Sequence, residues 1–459
     1  MQMKRWFWGA FLLISAVGIG TGNYVLFSPK IGKATAAEIE AALPASLKVQ
    51  DVPDPAGEAR YARLVAMSRG LNTKPLNQST MSPDPLAGRA LPENEILLGK
   101  IEALLKEGGI RVPTRTMDMQ FPDLSRVKNI EKLAAISIAA AQKRGDRRGC
   151  ERWATLTLRF SQALTDAGGV AIDQLVAVAI DAIAVRAVYL AEIENGLDNQ
   201  ARAAVLGLLP PEDGRSSAMA DAVRRDFQVC WTPILLDPQA HLKSLMDSSA
   251  DVVSDAEPPP GKQPPAGTFD PVASAKLAGG VYDALIADLL RPPTKVVHAE
   301  AKLIADAEPG LPEGSYYTGL EGLWYRVRMN VGRNTLGRKG IVSGALVGLT
   351  GATGRAAANR NLVRAVILLR SGATPAVIDP FGTGNLRFDR KREIVWSVGK
   401  DGRDDGGDIG DGYQDSAPDL GYPYGDHSWA KLHPPLPKST IRGGPPAGFG
   451  PGFPPPGFK

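Results

Sequence analysis

The chain has 459 residues, enough for several domains, and 44% of them are hydrophobic, enough to fill a core. Its 53 basic residues nearly balance its 49 acidic ones, for a net charge of +4, and only 6% of residues are aromatic. That excludes a dedicated nucleic-acid binder, which needs a basic excess or interleaved base-stacking aromatics, and two cysteines are too few for a disulfide framework.

The first element is hydrophobic. Lys4 and Arg5 precede Trp6–Phe27, a stretch without charge. About 20 apolar residues cross the hydrocarbon core of a bilayer, and basic residues ahead of such a segment keep the N-terminus cytoplasmic. Trp6 and Trp8 suit the membrane interface, where amphipathic rings are favoured. The segment reads as an uncleaved anchor over residues 1–27 in preference to a cleaved signal, because no Ala-x-Ala site follows and the apolar run resumes at Tyr24–Phe27. Either reading exports the remainder, predicting a single-pass protein with its bulk on the extracytoplasmic, periplasmic side.

Residues 28–127 are mixed, with short helices predicted at Ala36–Leu43 and Asn94–Glu107 and prolines such as Pro53, Pro55, Pro83 and Pro85 breaking up the chain between them. Residues 128–247 read as a helical domain, with helices at Ile130–Lys143, Arg148–Ala167, Ala171–Asn195 and Gln200–Leu209. The short turns between them, such as Gly145-Asp146, imply antiparallel α-hairpins. The two cysteines, Cys150 and Cys230, read as buried small hydrophobes in preference to a bridge.

Residues 248–268, with Pro258–Pro260 and Pro264-Pro265, form a predicted linker. A second helical region, 269–354, follows, with helices near Val272–Leu290, Pro293–Ala307 and Gly319–Met329. From Gly322 to Ile378 there is no acid, while Arg326, Arg328, Arg333, Arg338, Lys339, Arg355, Arg360, Arg364 and Arg370 are all basic. This reads as a solvated face answering the acidic loop downstream, in preference to a surface for anionic lipid. The tail, 433–459, is Pro- and Gly-rich and is predicted to be disordered. The fold class expected is mainly α: a bundle of antiparallel α-hairpins with a small C-terminal β-hairpin and loop module (α+β), an N-terminal transmembrane helix and a disordered tail.

Chemical motifs are few. Gly332–Lys339 imitates a phosphate-binding loop, but Arg338 stands where lysine should follow the second glycine, so no nucleotide site is expected. Asp426-His427-Ser428 are neighbours in one loop and cannot face one another as a catalytic triad must.

One segment stands apart, Asp379–Asp415. Asp379-Pro380-Phe381-Gly382 reads as a turn, Leu386–Asp389 and Glu393–Val398 as two strands of a hairpin, with Ile394, Trp396 and Val398 on one face. A Gly/Asp-rich loop follows, holding Asp401, Asp404, Asp405, Asp408, Asp411 and Asp415. Crowded carboxylates repel unless neutralised, and glycines let backbone carbonyls turn inward, which is the hard-oxygen setting Ca²⁺ takes with six to eight ligands. The alternative is a solvated acidic loop.

The run Asp-Pro-Phe-Gly, a short strand, then Val-Trp-Ser-Val-Gly-Lys-Asp-Gly and Asp-Asp-Gly-Gly resembles the C-terminal end of type II secretion major pseudopilins. The resemblance covers about 355–415 and makes 355–432 a pseudopilin-like module. It implies a structural calcium, with Asp401 as a ligand, a second ligand among Asp404, Asp405 and Asp408, and backbone carbonyls near Ser397. Pseudopilins begin with a processed leader and a hydrophobic helix bearing a glutamate near its start, and this N-terminus shows neither. The anchor therefore reads as a tether, not a filament spine. The layout also looks like that of large exported bacterial proteins with an anchor, a helical body and a pseudopilin-like end. Two functions are expected in order of preference: an envelope scaffold or interaction protein with protein partners, linked to type II secretion or pilus-like systems, or a metal-assisted envelope enzyme using the 401–415 carboxylates. The scaffold reading names no catalytic residue.

Overall fold

The computed structural model describes residues 30–31, 33–49, 53–77, 90–116, 124–210, 214–237, 268–269, 271–297, 299, 303, 341–409 and 419–425. The expected anchor, the linker up to residue 267, the Gly319–Met329 helix and the tail, together with Asp411 and Asp415, lie outside these residues, and the linker's last residue, Thr268, opens β2. No helix among the described residues is long and apolar enough to cross a membrane. The described chain is mainly helical with a small three-stranded antiparallel sheet, an α+β architecture.

The elements are β1 (Lys30–Ile31), α1 (Ala36–Ala42), α2 (Pro55–Ser68), α3 (Pro92–Lys106), α4 (Leu124–Lys143), α5 (Arg147–Asp166), α6 (Ala171–Ile193), α7 (Asn199–Gly207), α8 (Arg215–Asp226), α9 (Thr232–Leu236), β2 (Thr268–Phe269), α10 (Pro271–Leu289), α11 (Ile341–Arg370), β3 (Arg387–Asp389), β4 (Ile394–Ser397) and β5 (Leu420–Pro423). β1 and β2 pair in parallel. Helix α2 corrects the expectation of a proline-broken segment. Pro55 opens the helix, where its missing N–H is no loss, and the Asp54 carboxylate caps it by accepting from the Gly57 N–H at 2.8 Å.

Helices α4, α5 and α6 pack on one another and form the main core. On α4 a stripe of Leu124, Val127, Ile130, Ala134, Ser137 and Ala141 at helical spacing is buried, and Leu133, Ile136 and Ala140 are buried beside it, so the helix is enclosed over most of its circumference. Asp146 ends the α4–α5 turn by capping α5 at Gly149 N–H, 2.9 Å. Gly168 and Gly169, at φ +78° and +87°, break α5 from α6 in a conformation L side chains disfavour. Helix α6 is central and touches α4, α5, α8 and α11. Cys150 is buried, Cys230 half-buried, and both are free thiols.

Helix α11 runs 30 residues, straight through position 355. Its Leu362, Val363, Val366 and Ile367 are fully buried in the same core as α4–α6, and so is Val395 of β4. The C-terminal sheet is therefore built onto the helical body through α11.

Of the described basic residues in the acid-free stretch, Arg355 is exposed, as a solvated face requires, but Arg360, Arg364 and Arg370 turn into the protein. Arg360 is 1% exposed and donates to Asp181 Oδ1 on α6 at 2.6 Å and to the Leu208 carbonyl at 2.7 Å. Arg364 donates to the carbonyls of Leu206 and Leu209 at 3.1 and 2.6 Å, at the C-terminal end of α7, where a cation is favoured. Arg370 pairs with the buried Glu192 at 2.9 Å, which Arg202 also holds at 2.8 Å. These side chains are long enough to reach acids and carbonyls of the body, so burial comes with pairing.

Asp181 is the hub of this contact. Its Oδ1 accepts from Arg360, from Arg215 at 2.9 Å and from Ser161 Oγ at 2.8 Å, while its Oδ2 is buried without a hydrogen bond. Arg215 also donates to Thr165 Oγ1. Close by on α4 lies Glu131, fully buried, with neither carboxylate oxygen hydrogen-bonded. Burial first, and then the Asp181 charge, holds the Glu131 carboxyl well above the ordinary carboxylate range.

Candidate functional site

The acidic loop and the sheet beneath it form the candidate metal centre. The turn after α11 is set by Asp379, which is 1% exposed. Its carboxylate accepts from Phe381 N–H at 3.0 Å, from Ser397 Oγ at 2.5 Å and from Val398 N–H at 3.0 Å. Arg387 stands 3.6 Å away. One buried carboxylate with three donors thus fixes the turn against the end of β4, and Asn361 of α11 ties down the same turn at the Ile378 carbonyl, 2.9 Å.

The predicted hairpin is present as β3 and β4, with Arg387 opposite Trp396 and Asp389 opposite Ile394. Asp389 Oδ1 accepts from Lys391 and Arg392 N–H at 2.7 and 3.1 Å and closes the turn. A third strand, β5, adds to the far side of β4, pairing Ile394 with Pro423 and Ser397 with Leu420. Strand β4 is buried on both faces: Ile394, Val395, Trp396 and Ser397 are all buried. Val395 joins the α11 core, and the opposite face is roofed by the acidic loop. A side chain at Gly407 (φ +75°) would stand 2.8 Å from Ile394 and 3.1 Å from Trp396, so only glycine lets the loop lie this close.

The loop is held from several directions. Trp396 Nε1 donates to Asp404 Oδ1 at 3.0 Å, and Gly406 N–H to the same oxygen at 3.1 Å. Arg387 Nε meets Asp404 Oδ2 at 2.6 Å. The Trp396 bond above all keeps the Asp404 carboxyl below its ordinary range. Arg392 donates to the carbonyls of Gly406 and Gly407 at 2.5 and 2.8 Å. Among the described residues, Asp401 accepts a local bond from Arg403 N–H at 3.1 Å, and Asp405 and Asp408 are exposed. Ser397 turns its hydroxyl to Asp379, away from the loop carboxylates.

The residue that sequence reasoning missed is Asp419. It is 0% exposed. Its N–H donates to the Asp408 carbonyl at 3.2 Å, and its Oδ2 accepts from Gly407 N–H at 2.9 Å. Its Oδ1 is buried with no hydrogen-bond partner. Burial pushes the Asp419 carboxyl up; the backbone N–H groups of Gly407 and Asp405 offset part of this, and the charges of Asp404 and Asp405 add to it. No spacing rule singles out Asp419, because it lies beyond the Gly/Asp run and reaches the loop only through β5.

Of the expected ligands, then, Asp404 and Asp405 are brought beside Asp419, while Asp401 stays in its own turn. The grouping is one of mutual repulsion, not a closed cage: among the described residues, no three His, Cys, Asp or Glu side chains meet in metal-ligand geometry. The chemistry on offer is carboxylate and carbonyl oxygen, which fits a hard cation such as Ca²⁺ and not a soft one. No protein-family model matches the chain, and no curated protein or solved structure does.

Proposed function

We propose that this protein is an exported scaffold or interaction protein of the cell envelope, linked to type II secretion or pilus-like systems. In this reading Trp6–Phe27 tethers it to the membrane with the N-terminus in the cytoplasm. A body of antiparallel α-hairpins and a disordered Pro/Gly tail offer surfaces to protein partners, and a calcium ion staples the C-terminal sheet.

The observation that carries the calcium is the buried, bond-free Oδ1 of Asp419 next to Asp404 and Asp405. An unmet buried acceptor costs about 1–3 kcal/mol, more when charged, and a bound cation removes that penalty together with the repulsion. Extracytoplasmic Ca²⁺ would keep such a site filled. The commitment of Asp404 to Arg387 and Trp396 supports a structural ion over a catalytic one, because a metal-assisted enzyme needs a free base or nucleophile at its metal.

The test is thermal unfolding of the full chain with Ca²⁺ and with a chelator. Saturation at a hundred times Kd stabilises by about 3 kcal/mol, a rise of a few degrees in Tm. Asp419→Asn is expected to abolish the rise, whereas Asp401→Ala, in a turn of its own, is expected to leave it in place. A Tm that neither Ca²⁺ nor the chelator moves would sink the calcium reading.

A further inference from the structure

We infer that Asp226 is a pH-sensitive latch: it ties a second helical cluster to the first turn of α6, firmly when its carboxyl is neutral and loosely when it is charged. The latch does not involve the acidic loop and operates whether or not Ca²⁺ binds.

The second cluster has a hydrophobic core of its own. Val223, Phe227, Leu235, Tyr282 and Leu285 are buried together in it, apart from the main core of α4–α6. It meets the body along the start of α6, where Leu175 and Val178 pack on it. One carboxyl stands at this seam. Asp226, at the end of α8, accepts from the Tyr282 hydroxyl of α10 at 3.2 Å and from the N–H of Ala171, the first residue of α6. The Trp231 indole hydrogen-bonds the same hydroxyl, and the Phe227 ring packs edge-on against the Tyr282 ring at 5.1 Å. A single side chain thus joins α8, α10 and α6. Asp226 also precedes a π-type turn, Phe227–Trp231, closed by the Thr232 N–H on the Phe227 carbonyl. Turns of this kind are rare and are found often at functional sites.

The two donors to Asp226 are a hydroxyl and a backbone N–H, neither of them charged. The charged and titratable groups around it are Asp173 of α6, held by Arg115 at 2.6 Å; Arg111 and Arg225, both beside Gly168; the Cys230 thiol one turn on; and Asp283 of α10, engaged with Ser46. Burial, and with it the like charge of Asp173, disfavours ionisation and raises the carboxyl to about 6, against the pull of the Tyr282 and Ala171 bonds. A seam that opens returns Asp226 to water and to its ordinary value of 3.8. The stability that it lends the seam is therefore fully present below 3.8 and is lost as pH rises through about 6. Acid closes the seam, and neutral pH loosens it.

The experiment uses the full chain and follows backbone hydrogen exchange by mass spectrometry from pH 4 to pH 8, corrected for the intrinsic rate. Helix α10 is expected to open more readily than α5, whose protection reports the main core. Its opening constant should rise by about tenfold per pH unit between pH 4 and pH 6 and level off above. In Asp226→Asn, which keeps the shape and cannot ionise, that rise should vanish. Tyr282→Phe removes a bond that favours the charged form, so it should move the levelling-off to higher pH, which a merely structural role would not do. If α10 and α5 open together, or if Asp226→Asn keeps the rise, Asp226 is no latch. Should Asp226→Asn not fold, Tyr282→Phe decides: a levelling-off that stays where the parent has it overturns the inference.

Discussion

Asp181→Asn is expected to destabilise the protein by about 3–5 kcal/mol, the usual cost of leaving buried charges without their counter-ion. The carboxylate that it neutralises is 1% exposed and serves Arg360, Arg215 and Ser161 through a single oxygen. Asparagine preserves the shape, so the loss reports charge and not cavity. Both guanidiniums belong to different helices from Asp181, α11 and α8, so the damage falls on the packing of the C-terminal helix against the body. Urea unfolding followed by circular dichroism gives the number. Against a typical total of about 5–15 kcal/mol, the variant stands near the edge of folding. If it does not fold, adding Arg360→Met, which removes one stranded charge, should recover part of the loss. A change below about 1 kcal/mol would mean that the arginines find water and that Asp181 is no hub.

That hub explains both what the sequence could show and what it could not. Helices α4 to α7 were legible because their apolar residues recur at helical spacing and because glycines and Asp146 punctuate them. The hairpin was legible from its alternation and its turn. The role of the arginines was not, because Arg360 meets an acid 179 positions earlier. Composition reports a basic run, and only three-dimensional contact reports that it is internal. Helix α2 was lost to Pro55, a residue that breaks a helix inside it but begins one after a capping aspartate. Strand β5 was lost because Leu-Gly-Tyr-Pro is short, contains both Gly421 and Pro423, and has no period of its own; its partner strand makes it a strand. The same limit hid Asp419. The loop carboxylates cluster in sequence and are easily found, whereas the buried one arrives from the far end of the loop and is defined by what it lacks, a donor for Oδ1.

Glu131 permits an experiment of the opposite sign. Its carboxyl is 0% exposed, its two oxygens accept no hydrogen bond, and its nearest influential charge is the like-charged Asp181. Facing that region are Arg215 from α8 and Arg360 from α11, both held on Asp181, and the hydroxyls of Ser161 and Thr165 from α5. The folded protein holds the Glu131 proton above the ordinary value of 4.5, whereas the unfolded chain releases it there. The stability associated with this group is thus fully present below the unfolded value and is lost as pH rises from there through the folded one. Within that window the slope approaches about 1.4 kcal/mol per pH unit. Glu131→Gln keeps the shape and cannot ionise, so it should match the parent in acid and become progressively more stable than it as pH rises. Urea midpoints measured from pH 4 to pH 9 in both chains check this. Parallel profiles would show that Glu131 is not the titrating group. Because part of its displacement comes from Asp181, the gain from Glu131→Gln should shrink in an Asp181→Asn background. An undiminished gain would leave burial as the sole cause, and a shrunken one ties α4, α6 and α11 into a single charge-linked core.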